Sequence, residues 1–184
     1  MANYTLHLGF NWSSPTIGSI WSSGAALEDY RFLQYALAGS SGLPAWFQFQ
    51  VNDVLNIEIW DLSSAPGKSE AVPGLNMSFA PLDAGTTGTY DPSTLMDLQG
   101  NASVATQLVN GQSQAYLSFN NVVSASGTNS PWGPCRGHYS TGSVAFKSEA
   151  SYKLSFYLRV ALSGGSSGPR SFLSDPEVIV GSRG

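Results

Sequence analysis

Residues 150–162 read ASYKLSFYLRVAL and form the longest stretch of the chain with one unbroken two-residue period. The apolar positions of this stretch fall on a single face of an extended strand, and they are Tyr152, Leu154, Phe156, Leu158, Val160 and Leu162. Such alternation is typical of a β-strand with one buried face. Burial of each of these side chains contributes roughly 1.5–3 kcal/mol to stability. We therefore expect this strand at the centre of the core, in an antiparallel sheet.

Other segments have the same strand-like character but are shorter. They cover residues 3–10, 16–21, 46–51, 55–60, 75–82, 102–109, 114–123, 142–147 and 178–180. Residues 27–37 partly match helical spacing, and in this context we favour a strand, with a short helix as the alternative. About eight to ten short strands predict an all-β fold. The specific expectation is a single-domain antiparallel β-sandwich over residues 1–184, with jelly-roll or immunoglobulin-like topology.

Two shorter patterns predict local structure. Asn52 and Asp53 separate two apolar segments, which favours a β-hairpin or a bulged strand at this point. Pro176 cannot donate a ladder hydrogen bond, so we expect the closing segment to lie at a sheet edge or to bend there. Residues 102–109 and 114–123 flank Gly111 and are expected to pair with each other.

The composition indicates a globular protein with a neutral, polar surface. At 184 residues, the chain is long enough to bury a core without a disulfide or a metal ion. Only 11% of the residues are charged, compared with about 25% in an average protein. Because the formal net charge is only -4, electrostatic repulsion between copies is weak. We predict a homo-oligomer.

Charge and hydropathy argue against two classes of partner. The eight Lys and Arg residues are scattered and form no basic stripe, so we expect no nucleic-acid partner. No apolar stretch approaches the roughly 18 residues of a membrane-spanning helix, and the N-terminal sequence lacks the basic and apolar regions of a signal peptide. A single cysteine suits a reducing compartment. These features predict a cytoplasmic protein without a membrane partner.

The one compact arrangement that could support nucleophilic chemistry is Cys135 with His138, in the segment PWGPCRGHY. Arg136 lies next to the cysteine and could lower the pKa of its thiol. No third group is evident, and the prolines and glycines favour a rigid structural loop instead. We therefore predict no catalytic residue, and we do not expect an enzyme.

The same loop offers a candidate ligand site. Trp132 supplies a face for stacking, Arg136 a cation and His138 a switchable hydrogen-bond donor, a combination that could bind a glycan or another small ligand. Two histidines and one cysteine lack the spacing of a zinc site, and the acidic residues show no calcium-loop pattern. We expect no metal and no cofactor. His7, on the alternate face of the first strand, is expected to be a surface or hydrogen-bonded histidine.

The C-terminal region resembles a known family. The matching positions in YKLSFYLRV and FLSDPEVIVG are Tyr152, Leu154, Phe156, Leu158, Phe172, Asp175, Pro176, Val178 and Val180. An aromatic-rich alternating strand, a turn and a closing Asp-Pro strand with β-branched residues are similar to the C-terminus of small bacterial inclusion-body proteins of the PixA and AidA type. The family usually has a tryptophan before Asp-Pro, where this chain has Ser174. The match covers roughly the last fifth of the chain.

The resemblance implies an intracellular bacterial β-sandwich protein that has no known catalytic activity and can pack into inclusions. It transfers no functional residue, because the family has no established active site. Our leading hypothesis from the sequence is therefore a non-enzymatic, self-associating β-sandwich. The alternative is a lectin-like sandwich that binds a carbohydrate or a small ligand.

Overall fold

The computed structural model describes residues 1–21, 27–38, 46–63, 70–82, 90–109, 112–162, 169–174 and 176–181. This part of the chain is nearly all β, which confirms the predicted fold class. A single helical turn, α1 (Pro92–Leu95), interrupts the described strands. The strands in chain order are β1 (Asn3–Phe10), β2 (Thr16–Trp21), β3 (Leu27–Phe32), β4 (Gln34–Leu37), β5 (Trp46–Phe49), β6 (Val54–Asp61), β7 (Glu70–Pro81), β8 (Met96–Asp97), β9 (Ala102–Val109), β10 (Gln112–Phe119), β11 (Val123–Ser124), β12 (Asn129–Ser130), β13 (Gly133–Pro134), β14 (Gly137–Phe146), β15 (Ala150–Leu162), β16 (Arg170–Ser174) and β17 (Glu177–Val180).

Strand β15 lies at the centre of the larger sheet, as its sequence pattern predicts. It pairs antiparallel with β7 along one side and with β16 and then β17 along the other. Pro176 lies between these last two strands, where the closing segment breaks. The predicted apolar face of β15 is buried at Tyr152, Leu154, Phe156, Leu158 and Val160. The side chain of Leu162 is outside the described set.

The strands form two large sheets. The nine-stranded sheet has the order β2-β3-β16-β15-β7-β10-β9, and β17 pairs with both β15 and β5. The six-stranded sheet has the order β11-β14-β6-β1-β4, and β8 pairs with β14. A small ladder of β12 and β13 stands apart from both sheets. The predicted pairing of β9 with β10 is confirmed over eight residues.

The prediction of purely antiparallel sheets is wrong. Among the described strands, three pairs are parallel, namely β1 with β6, β3 with β16 and β5 with β17. Parallel neighbours cannot be joined by a tight turn, so these pairs bring together parts of the chain that are distant in sequence. The described residues also contain seventeen strand segments rather than eight to ten, because several strands are short or are divided at bends.

The turn at Asn52 and Asp53 moves the chain from one sheet to the other. Strand β5 belongs to the nine-stranded sheet and β6 to the six-stranded sheet, so the predicted hairpin between them does not form. Asn52 takes a positive φ of 72°, in the left-handed region that asparagine tolerates better than most residues. The buried carboxylate of Asp53 accepts hydrogen bonds from the main-chain N–H groups of Gln50 at 2.9 Å and of Ala2 at 2.7 Å. This carboxylate therefore fixes the crossing point.

Residues 27–37 make a similar crossing. They form two strands, β3 in the larger sheet and β4 in the smaller one, which confirms the strand prediction and excludes the alternative helix. Leu33 separates the two strands and is fully buried. Its N–H donates to the carbonyl of Leu173 in β16 at 2.9 Å, so the break in the strand leaves no unsatisfied amide at this position.

Both large sheets contribute side chains to one apolar core. Aromatic rings contact each other from sheet to sheet, with Phe10 of β1 against Phe172 of β16 at 5.3 Å between ring centroids. Phe49 of β5 stacks on Phe146 of β14 at 4.3 Å. The sandwich arrangement and its jelly-roll or immunoglobulin-like topology stay predictions. Within the described residues, no helix has the length and apolar character needed to cross a membrane.

Replacement of Phe156 by alanine tests the central role of β15. Because Phe156 is fully buried, we expect Phe156→Ala to lower the free energy of unfolding by about 3–5 kcal/mol in urea denaturation. Arg159 lies on the exposed face of the same strand, so Arg159→Ala should change the free energy of unfolding by less than about 0.5 kcal/mol. Equal effects of the two substitutions would contradict the assignment of the faces.

Candidate functional site

A polar and aromatic cluster lies on the outer face of the six-stranded sheet. Strand β1 directs Leu6, Leu8 and Phe10 into the core, so His7 and Gly9 lie on the opposite face. Strand β6 follows the same alternation, with Leu55, Ile57 and Ile59 in the core. Glu58 and Trp60 consequently lie on the outer face beside His7 and Gly9.

Strand pairing brings these side chains into two neighbouring rows. His7 pairs with Glu58, and Gly9 pairs with Trp60, in the parallel register of β1 and β6. On the other side of β6, His138 of β14 pairs with Trp60. We refer to His7, Glu58, Trp60 and His138 as the outer-face cluster.

The rings of Trp60 and His138 stack on each other within this cluster. Their rings are nearly parallel, with an interplanar angle of 4° and 3.7 Å between centroids. Trp60 is 5% exposed, and the side chain of His138 is 8% exposed. The stack is therefore largely shielded from water although it lies outside the main core.

His7 has two contacts at one ring nitrogen, and they require opposite protonation states. Its Nδ1 lies 3.0 Å from the indole Nε1 of Trp60 and 3.1 Å from Oε2 of Glu58. An indole N–H can only donate, so Nδ1 must carry no proton to accept from it. An ion pair with Glu58 would need a proton on the same nitrogen. The hydrogen bond from Trp60 thus favours the neutral form of His7.

Burial also favours neutral His7. Desolvation lowers the pKa of His7 below its ordinary value, and the nearby His138 adds to the decrease. The negative charge of Glu58 and its hydrogen bond oppose this effect without overcoming it. Proton uptake at His7 would therefore cost the hydrogen bond from Trp60 and gain an ion pair with Glu58.

His138 is oriented by a main-chain carbonyl. Its Nδ1 lies 2.8 Å from the carbonyl oxygen of Ser126, which can only accept, so Nδ1 carries the proton. Its Nε2 is buried without a hydrogen-bond partner and lies 3.5 Å from Oε2 of Glu58. The unpartnered Nε2 of His138 thus faces the carboxylate of Glu58.

The segment 125–136 covers the outer-face cluster. Its two ends are held by main-chain hydrogen bonds, from Ala125 N–H to the His138 carbonyl at 2.8 Å and from Arg136 N–H to the Asp61 carbonyl at 2.8 Å. Inside the segment, the hydroxyl of Ser130 donates to the Gly133 carbonyl at 2.8 Å. These bonds make the segment a defined loop.

Trp132 at the tip of this loop packs against Gly9. A Cβ atom on Gly9 would lie 2.7 Å from Cζ3 of Trp132 and 2.7 Å from Cδ1 of Leu62, closer than side-chain carbons approach. Only glycine leaves room for the indole at this position. Because Gly9 has no side chain, the indole of Trp132 can pack directly on strand β1 and hold the loop there.

Trp132 and His138, two of the three predicted ligand-binding residues, both lie over the outer face of the six-stranded sheet. Trp132 lies over Gly9 and His138 over Trp60, and these two positions are paired in the sheet. One ring face of each is used for packing within the protein. Arg136 is half-buried near the end of the loop. The ligand site formed by Trp132, Arg136 and His138 stays a prediction.

Sequence reasoning missed most of the outer-face cluster. It expected His7 on the alternate face of β1 as a surface or hydrogen-bonded histidine, and the bond from Trp60 confirms the second alternative. It did not connect His7, Glu58 and Trp60 with His138. The alternation of each strand was visible in the sequence, but the parallel pairing of β1 with β6 was not.

The surroundings of Cys135 raise the pKa of its thiol above the ordinary value. Burial raises the pKa of its thiol, and the charge of Asp61 raises it further. This is opposite to the expected lowering by Arg136. The Sγ atom lies 3.8 Å from the Gly127 carbonyl. The ring of His138 stacks on Trp60 instead of acting on the thiol.

Of the acidic residues around α1, Asp91 has a structural role within the described part of the chain. Asp91 caps α1, where its carboxylate accepts from the N–H of Ser93 at 2.9 Å. Asp83 lies outside the described residues. In the part of the chain that the structure describes, no group of three or more His, Cys, Asp or Glu side chains is arranged to hold a metal ion.

No protein-family model matches the sequence, and no curated protein matches it. The resemblance to inclusion-body proteins therefore stays an interpretation of the C-terminal strands.

The close approach of Trp132 to Gly9 allows a direct test of how the loop packs on β1. We expect Gly9→Ala to displace the indole and to lower the free energy of unfolding by about 1–3 kcal/mol in urea denaturation. Gly74→Ala is a matched control, because a Cβ there meets no atom within 4 Å. If Gly9→Ala and Gly74→Ala had the same free energy of unfolding, the packing of Trp132 on Gly9 would be contradicted.

The lowered pKa of His7 predicts a loss of stability in mild acid. In the unfolded chain His7 takes up a proton near its ordinary pKa of about 6.5, whereas the folded protein resists protonation to lower pH. Its contribution is therefore complete above about pH 6.5 and decreases as the pH falls through that value toward the folded pKa.

Replacement of His7 by glutamine removes the imidazole that takes up a proton. The glutamine side chain keeps an oxygen that can accept the hydrogen bond from the indole N–H of Trp60. The pH dependence of the free energy of unfolding, measured by urea denaturation between about pH 7 and pH 5, should be shallower in His7→Gln than in the unmodified protein. If stability depended on pH in the same way in the two proteins, His7 would not be the cause of the loss of stability in mild acid.

Proposed function

We propose that this chain is a non-enzymatic, self-associating β-sandwich protein of the bacterial cell interior, and that copies join through the outer edge of β9. The resemblance to inclusion-body proteins suggested self-association, and the raised pKa of the Cys135 thiol argues against its use as a nucleophile. The single observation that carries the proposal is the character of the β9 edge.

Strand β9 is the last strand of the nine-stranded sheet. It pairs with β10 in one continuous register, and no other described strand pairs with its outer side. Its sequence, ASVATQLV, contains neither a charged residue nor a proline. Natural sheet edges are usually protected by lysine, proline or a bulge, because free main-chain groups otherwise pair with another strand. In β9 these protections are missing.

The other sheet edges are less suited to pairing. The opposite edge of the same sheet is β2, whose register shifts between Thr16 and Gly18. In the six-stranded sheet, the edges are the four-residue β4 and the two-residue β11. The four-residue β5 is a further edge of the nine-stranded sheet, since it pairs only with β17 among the described strands. Strand β9 is the longest of these edge strands, so two copies would join their large sheets there, antiparallel and about a twofold axis.

The low charge of the chain supports the same proposal. With 11% charged residues and a net charge of -4, like-charge repulsion between approaching copies is small. The exposed side chain of Val104 on β9, 40% exposed, adds apolar surface that a partner strand would cover. Both features lower the free energy of the associated state.

A lysine on β9 tests the proposal. The protein should sediment as an oligomer whose proportion increases with concentration in analytical ultracentrifugation. We expect Val104→Lys to weaken this association by about tenfold or more, because Val104 shares the inner face with the buried Leu117, and an inward-pointing charge on an edge strand opposes pairing with another strand. Val123→Lys is the matched control, since Val123 is also exposed but lies on the short β11.

Two outcomes would contradict the proposal. The unmodified protein could remain monomeric up to its solubility limit, which removes self-association altogether. Alternatively, Val104→Lys and Val123→Lys could associate as strongly as the unmodified protein, which removes β9 as the joining edge. Circular dichroism of each variant verifies that the strands have formed.

A further inference from the structure

Two arginines converge on the turn that follows β1. The guanidinium Nε of Arg31 donates to the carbonyl of Ser14 at 2.9 Å. The Nη1 of Arg170 donates to the carbonyl of Trp12. The two accepting carbonyls are only two residues apart in sequence, so both guanidinium groups lie at the same turn although the arginines come from β3 and β16.

Sheet register explains how these arginines meet. Arg31 pairs with Phe172 in the parallel register of β3 and β16, and paired residues lie on the same face of a sheet. Arg170 precedes Phe172 by two residues and therefore shares this face. Phe172 is fully buried against Phe10. Both arginines consequently lie on the inner face of the large sheet, at the rim where β1 ends.

Trp12 completes the arrangement. The guanidinium carbon of Arg170 lies 4.4 Å from the centroid of the Trp12 ring, in a cation–π contact. Trp12, Arg31 and Arg170 are all half-buried, so the group is partly shielded but reachable from solvent. We call these three residues the rim cluster.

The positive charge of the rim cluster is not compensated within the described residues. No described carboxylate lies within 4.0 Å of either guanidinium group. The two groups also repel each other, and the pKa of Arg170 is lowered by burial and then by the charge of Arg31. An arrangement of two like charges in partial burial is unfavourable by itself, and an anion between them would remove the repulsion.

From this geometry we propose that the rim cluster is a binding site for a small oxyanion, a phosphate or a carboxylate group, held between the guanidinium groups of Arg31 and Arg170 beside Trp12. A guanidinium group has several N–H donors in a planar fork that fits such oxygens. Each arginine uses one described hydrogen bond on the turn and keeps further donors for the anion. Trp12 provides an apolar surface for the group that bears the anion.

This site is independent of the outer-face cluster and of the β9 edge. It uses none of the residues Trp132, Arg136 and His138, and both of its arginines come from strands of the large sheet. Binding at the rim would hold the turn after β1 against β3 and β16. The anion would thereby stabilise the contact between the two sheets at this end of the protein.

Isothermal titration calorimetry with inorganic phosphate at low ionic strength tests the proposal. We expect saturable binding to the full chain, and an affinity at least about tenfold lower in Arg31→Gln, because a charge-assisted hydrogen bond is lost. Arg159→Gln is the matched control, since it removes one guanidinium group from the exposed face of the same sheet. It should bind phosphate as the unmodified protein does.

Acetate is titrated in parallel, because phosphate esters and carboxylic acids offer the same oxygen acceptors. Saturable binding of either anion that Arg31→Gln weakens supports the site, and the tighter of the two identifies the preferred chemistry. Arg31→Lys keeps the positive charge but lacks the planar set of guanidinium N–H donors, so this variant should bind the anion with intermediate affinity.

The opposite results overturn the proposal. They are the absence of saturable binding to the unmodified protein, an unchanged affinity in Arg31→Gln, or an equal loss in Arg159→Gln, which would indicate unspecific charge attraction. Thermal unfolding with and without phosphate distinguishes anion binding from a purely structural role of Arg31. If phosphate raises the melting temperature of Arg31→Gln as much as that of the unmodified protein, the arginine only supports the turn.

Discussion

The burial of one face of β15 is the constraint on which the rest of the fold depends. Its apolar side chains leave water only if strands cover both flanks and a second layer covers the face. Strand β7 covers one flank over almost the full length, and β16 and β17 divide the other. The six-stranded sheet supplies rings such as Phe10 and Phe146 to the shared core. The remaining strands are arranged around these contacts.

Sequence pattern predicted the features that depend on neighbouring residues. Alternation identified β15, and the turn at Gly111 identified the pair of β9 and β10, because both signals lie within one short segment. It could not predict which distant strands become neighbours. The parallel pair of β1 and β6 joins segments about fifty residues apart, and no local turn records that choice. Purely antiparallel sheets were expected for this reason.

The candidate sites show the same limit. His138 was selected because it lies near Trp132 and Arg136 in sequence, but its partners are Trp60 and Glu58 on another strand. Likewise, Arg31 and Arg170 looked scattered when charges were counted along the chain. Pairing of β3 with β16 brings them to one rim. Clusters made by strand register become visible only when the register is known.

The three parallel pairs also determine the order in which the protein can be completed during synthesis. Strands β3 and β5 leave the ribosome long before β16 and β17, their partners, have been made. Until then, main-chain groups of the early strands must remain hydrated or pair elsewhere. Folds dominated by such distant contacts form slowly and expose aggregation-prone edges on the way. Strands β3 and β5 can therefore complete their pairing only after β16 and β17 have been synthesised.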